Sequence, residues 1–81
     1  MKVIRISAIW CSSCIIMKQR FNDISKDYNI EIVDLDYDLD YDKFKDYNIG
    51  DILPVHIIGD KRLIGEHSKE EIKEYLEVAV K

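Results

Sequence analysis

Val3-Ile4-Arg5-Ile6-Ser7-Ala8-Ile9-Trp10-Cys11-Ser12-Ser13-Cys14 is the stretch on which the reading of this chain turns. Its first half, Val3 to Ala8, is short, apolar and rich in β-branched residues, the pattern of a buried strand. Its second half carries the only two cysteines, where the apolar run gives way to a helical pattern. Thiols at this spacing on a helix start reach disulfide geometry with little backbone movement. The unpaired N–H groups and positive dipole end of the helix favour a thiolate there. Cys11 is expected at the exposed edge of that terminus as the nucleophile. Cys14, one turn further in, is placed to resolve a mixed disulfide.

Working outward, Met17, Phe21, Ile24 and Tyr28 recur at helical spacing, with Lys18, Gln19, Arg20 and Asp23 between them. This predicts a helix with one core-facing stripe. Ile30 to Leu35 returns to a strand pattern and runs into an acidic stretch, Asp34 to Asp42. The spacing of Tyr37, Tyr41 and Phe44 predicts a short second helix whose first turn collects the acids, with Gly50 ending the segment. Val55 to Ile58 and Arg62 to Ile64 form a hairpin through Gly59-Asp60-Lys61. Ser68-Lys69-Glu70-Glu71 is a capping box, opening a final helix with Ile72, Tyr75, Leu76, Ala79 and Val80 on it. The order β-α-β-α-β-β-α predicts an α/β protein with a four-stranded mixed sheet flanked by helices. The first two strands should be parallel and the last two antiparallel.

At 81 residues, 1–81 is expected to form a single domain with one core. A composition of 47% hydrophobic and 35% charged residues, with three glycines and one proline, is that of a globular chain. The net charge of −4 and the lack of a basic patch with interleaved aromatics argue against nucleic acid as a partner. Arg5 falls inside what would be the apolar core of a signal peptide, and no run approaches membrane-spanning length. The expected location is the cytoplasm, with no membrane partner. In that reducing compartment a close cysteine pair is catalytic or metal-binding rather than a structural staple. A structural zinc needs four ligands, and beyond Cys11 and Cys14 only His56 and His67 are on offer, at spacings unlike a zinc finger. No resident metal is expected, and no register of the acidic stretch supplies a calcium loop. A carrier that uses the two thiols as soft ligands for copper or zinc remains an alternative of a different class. So does a docking module whose cysteines only sense redox state.

The order of elements, the Trp-Cys-x-x-Cys after the first strand and the lone Pro54 opening the third strand together resemble the thioredoxin-like family over essentially the whole chain. The resemblance implies a minimal thioredoxin fold and a thiol-disulfide oxidoreductase that reduces protein disulfides through a Cys11/Cys14 dithiol–disulfide cycle. It implies no bound cofactor beyond the redox-active Cys11–Cys14 disulfide. Its partners would be disulfide-containing protein substrates and an electron-donating reductase or glutathione, met by a monomer. Pro54 would be cis and face the dithiol, Leu53 would offer backbone groups to an extended substrate, and Trp10 would frame the same groove. Gly65 matches the family's glycine before the last helix. Two positions depart from the pattern: where the family has a buried acid, six residues before the first cysteine, stands Arg5, and its lysine near the end of the second of these strands falls near Asp34. The exchanged pair would lie on adjacent strands beneath the dithiol, with Asp34 the proton relay for Cys14 and Arg5 holding it charged. Alternatively both side chains snorkel to solvent. The short hairpin through Gly59 is similar to glutaredoxin, which makes a reductase of glutathione mixed disulfides the nearest alternative. The Pro-Tyr and the second glycine usual there are Ser12-Ser13 and Glu66 here.

Overall fold

Strand β1 (Lys2–Ser7) runs through the middle of the molecule, and its alternating side chains set up a layer of packing on each face. The computed structural model describes residues 2–80 without the side chain of Val80, so the expected place of that side chain on the last helix lies outside the described residues. After β1 come α1 (Ser12–Ser25), β2 (Glu31–Asp36), α2 (Tyr41–Phe44) with a 3-10 turn at Lys45–Tyr47, β3 (Val55–Ile58), β4 (Lys61–Ile64) and α3 (Lys69–Val80). The four strands form one sheet in the order β2-β1-β3-β4. β1 is parallel to β2 and antiparallel to β3, and β3 is antiparallel to β4.

Residues of alternate parity on β1 face opposite layers, as the pleat requires. Val3 packs with Met17, Phe21 and Ile24 of α1 and with Ile72 and Leu76 of α3. Ile6 packs on the other face with Phe44, Val55, Ile57 and both cysteines. Each of these burials is worth roughly 1.5–3 kcal/mol per large aliphatic or aromatic side chain, which makes the two stripes the main source of cohesion. Helix α3 is pinned to the hairpin by Tyr75, whose hydroxyl donates to the carbonyls of His56 and Lys61 at 3.1 and 2.9 Å. Its capping box forms reciprocally: Glu71 N donates to Ser68 Oγ at 3.2 Å, and Ser68 N donates to Glu71 Oε1 at 3.1 Å.

The acidic stretch folds differently from its sequence reading. Asp36 to Asp40 precede α2 as a turn that satisfies its own backbone: Asp36 Oδ1 accepts from Asp38 N and Leu39 N at 2.8 and 3.0 Å, and Asp40 Oδ2 accepts from Asp36 N at 2.8 Å. Short acidic side chains compete with helical hydrogen bonding in this way, which delays the helix to Tyr41 and leaves Asp42 alone in its first turn. The segment ends at Asn48 rather than Gly50. Asn48 takes the left-handed conformation, with φ of 53°, a role asparagine tolerates. The guanidinium of Arg62 donates to the carbonyls of Tyr47 and Asn48 and holds that end against β4. In the hairpin Gly59 has φ of 60°, as the tight turn needs, and β4 begins one residue early at Lys61.

Candidate functional site

Cys11 is the N-cap of α1. Its backbone is extended, and its sulfur accepts a hydrogen bond from the Cys14 N–H at 3.2 Å. A turn closed by Cys11 N donating to Ala8 O at 3.2 Å brings the chain from β1 into this cap. Helix α1 has no acid in its first turn, so nothing of the opposite sign offsets its positive end. Cys11 and Cys14 are both free thiols. Cys11 is not at an exposed edge: only 9% of it is accessible, because the Leu53–Pro54 segment folds over it. The Cys11 thiol donates to the Leu53 carbonyl at 3.8 Å, a long contact of the kind sulfur makes.

The Leu53–Pro54 peptide is cis. Pro54 O accepts from Gly65 N at 2.8 Å, which ties this segment to the end of the hairpin. Gly65 has φ of 83°, and a Cβ there would press on Ile52 Cγ2 at 3.4 Å, so glycine is required by conformation more than by space. Leu53 and Pro54 are buried, whereas the neighbouring side chain of Ile52 is exposed. Across the dithiol, Trp10 is 62% exposed. Its indole donates to Asp38 Oδ2 at 2.8 Å and its ring stands edge-on to Tyr37 at 6.2 Å. The acidic turn therefore holds the tryptophan. Ile9 and Leu39 are also exposed and give the surface on the Trp10 side of the dithiol an apolar character.

Beneath the dithiol, Arg5 and Asp34 are register partners on β1 and β2. Arg5 Nε donates to Asp34 Oδ1 at 2.6 Å and Nη2 to Oδ2 at 3.1 Å. Arg5 is 3% exposed and Asp34 50%, so the cation is the buried partner and its charge is answered from the sheet edge. Partial burial pushes the Asp34 carboxyl up, but the hydrogen bonds and charge of Arg5 outweigh it and hold the group below the usual carboxylate range. Burial, followed by its hydrogen bond with Cys11, pushes the Cys14 thiol up to about 11, while Arg5 acts in the opposite sense.

The row continues to a residue that the sequence offers only as a possible zinc ligand. His56 pairs in register with Arg5 on the other side of β1, is fully buried and lies flat on Phe21 with ring centroids 4.0 Å apart. Among the described residues neither ring nitrogen has a hydrogen-bond partner, and neither does Arg5 Nη1. Burial, and then the neighbouring charge of Arg5, push the imidazole down to about 3, so His56 is neutral at physiological pH. Ser12 and Ser13, between the cysteines, have side chains without hydrogen-bond partners among the described residues. Among the described residues no three His, Cys, Asp or Glu side chains gather as metal ligands, and no helix is long and apolar enough to cross a membrane.

No family model matches the chain, and no curated protein matches it. Solved structures do. Thioredoxin 1 from the thermophilic eubacterium Thermosipho africanus TCF52B superposes with a TM-score of 0.81 at 22% identity, over 99% of this chain and 94% of that one. A thioredoxin-2 described as a component of malaria parasite protein secretion machinery gives 0.72 at 17% identity, over 95% and 81%. A further malarial protein gives 0.78 at 16% identity, over 99% and 97%. The chain has the thioredoxin fold along nearly its whole length, with a Cys-x-x-Cys at the start of its first helix.

Proposed function

We propose that this chain is a thiol-disulfide oxidoreductase that reduces protein disulfides through Cys11 and Cys14. The observation that carries the reading is the N-cap itself: a sulfur that receives a backbone N–H at 3.2 Å, at a helix end without acids, opposite the Leu53–Pro54 segment. An anionic sulfur at this place keeps its hydrogen bond from the Cys14 N–H and lies at the positive end of the helix, and it gives up the long S–H contact to the Leu53 carbonyl, whose oxygen then repels it.

In the proposed cycle the Cys11 thiolate attacks one sulfur of a substrate disulfide. One substrate thiolate leaves and takes up a proton, and a mixed disulfide with Cys11 remains. Cys14 then loses its proton and attacks Cys11 Sγ. The Cys11–Cys14 disulfide forms, the second substrate thiol departs, and two electrons have passed to the substrate. Trp10, Ile52 and the Leu53 backbone frame the groove in which an extended disulfide-bearing segment lies. Asp34, at the sheet edge, is held as a carboxylate by its two hydrogen bonds from Arg5. A reductase or glutathione returns the pair to the dithiol, and the cytoplasm is where such a reductant works.

The test is a redox titration of the pair in defined thiol buffers, followed by Trp10 fluorescence with thiol labelling as a check. A reversible two-electron transition near roughly −270 mV supports a protein-disulfide reductase, and one near roughly −120 mV reverses the direction to an oxidant. If no reversible transition occurs and copper or zinc stays bound stoichiometrically to the reduced thiols, the chain is a metal carrier instead.

A further inference from the structure

The two thiols differ in what lies beside them. Cys11 is closed over by Leu53, whereas Cys14 lines a cavity of about 290 Å³ together with Ser7, Ala8, Ile9, Ile15, Lys18 and Asp36. Next to it a shallower groove of about 210 Å³ is lined by Ser7, Lys18, Asp34, Leu35, Asp36 and Asp40. Ser7, Lys18 and Asp36 line both, so the two spaces adjoin along the C-terminal end of β2. Asp34 lines the outer groove only, and both its oxygens are occupied by Arg5. Asp36 lines both. One of its oxygens accepts the two turn N–H groups, and the other has no hydrogen-bond partner among the described residues.

We infer that Asp36 is the carboxylate that takes the proton from Cys14 when the mixed disulfide is resolved. The inference deepens the proposed reductase reading and rests on it. The proton leaves Cys14 Sγ, crosses the water-sized cavity to the free oxygen of Asp36 and passes on to solvent. The electron pair left on Cys14 Sγ forms the bond to Cys11 Sγ as the bond from Cys11 to the substrate breaks. A base is needed because burial disfavours the Cys14 thiolate. At the strand position beneath the dithiol stands Arg5, whose guanidinium accepts no proton. Lys18 follows Cys14 by one helical turn on α1, lines cavity and groove alike, and its charge acts on Asp34. The other charged or titratable groups acting there are Arg5 from β1, Asp34 from β2, Asp40 from the turn, whose Oδ1 holds Lys43 at 3.4 Å, and the Cys11 thiol.

Asp36→Asn isolates the point, because the amide oxygen can still accept both turn N–H groups while the proton-accepting charge is gone. The experiment is single-turnover release of a chromogenic thiol from a preformed mixed disulfide on Cys11, followed from pH 4 to pH 9, alongside the rate of Cys11 alkylation by iodoacetamide. Expected is a loss of at least about ten-fold in release near neutral pH for Asp36→Asn, with alkylation of Cys11 unchanged. Release by Asp36→Asn at the unmodified rate overturns the inference, as does slowing by Asp34→Asn alone. If the unmodified chain forms the mixed disulfide but never releases the thiol, the reductase reading itself fails, and the inference with it.

Discussion

Helices α1 and α3 each begin with a side chain that accepts the backbone N–H three residues ahead, and the two caps are built for opposite ends. At α3 the acceptor is the Ser68 hydroxyl, the Glu71 carboxylate answers in return, and Glu70 and Glu71 place negative charge in the first turn. Every part of that cap is exposed to water and quiets the helix end. At α1 the acceptor is a thiol, the cap is buried, and the first turn has no acid. Sulfur is a weak acceptor, so α1 surrenders some capping energy, and its positive end stays available to an anion. One cap is exposed and carries acids in its first turn, and the other is buried and carries none.

Exchanging the α1 cap should break the contrast most completely. Cys11→Ser leaves α1 capped by a better acceptor, so stability should stay within about 1 kcal/mol of the parent, while disulfide reduction falls to background. Denaturant unfolding and a disulfide-reduction assay on the same preparation check both halves. Should activity survive, the cap is not the nucleophile.

Acid titration separates the caps from the buried row beneath them. His56 is held neutral down to about pH 3 in the folded chain but protonates near its ordinary value of 6.5 when unfolded. The unfolded state therefore binds more protons between those values, and stability falls as pH drops through that window. The slope is about 1.4 kcal/mol per pH unit from this residue alone. His56→Leu, which also removes two buried nitrogens without hydrogen-bond partners among the described residues, should flatten the stability curve between pH 6.5 and 4.5. Below that window the carboxylates take over. Glu71 is held down by its hydrogen bond from Ser68 N, and Asp34 by Arg5, and each contributes stability that is lost as pH falls through its folded value. Equal slopes in parent and variant from pH 6.5 to 4.5 would place the acid sensitivity elsewhere.

Smaller effects sharpen the contrast. Ser68→Ala should cost about 1 kcal/mol, or roughly 4–8 °C in Tm for a domain of this size, without altering the redox rate. A change in rate would mean that α3 communicates with the dithiol. Ser12→Asp gives α1 the acid that α3 already has. It should strengthen the helix by roughly 0.3–1 kcal/mol and slow Cys11 alkylation at neutral pH by about two- to five-fold. Alkylation at the parent rate would show that the dipole is not what activates the sulfur.

Much of this contrast is legible in the residue order. Ser68 and Glu71 stand at the spacing of a capping box, and Cys11 and Cys14 bracket one turn at the end of an apolar strand. The Arg5–Asp34 pairing is an expectation of the resemblance to the thioredoxin-like family, and the register of β1 and β2 brings the two together. The burial of Cys11 does not, because the Leu53 carbonyl that covers it lies far along the chain. The acidic turn was misread as a helix start because local carboxylate–backbone hydrogen bonds and helical spacing compete for the same residues, and spacing alone does not rank them.

What the sequence by itself determined is the set of elements and the dithiol: apolar periodicity, a hairpin glycine and two caps are local signals, each complete within a few residues. What only the tertiary structure decided is which polar groups meet. His56 comes to lie beside Arg5 and against Phe21, and Asp36 and Lys18 come to share a cavity with Cys14, through strands and a helix brought together by the sheet. The physical reason is that hydrophobic patterning reports which face of an element is buried, while the partner of a buried polar group is set by register and packing between segments distant in the chain.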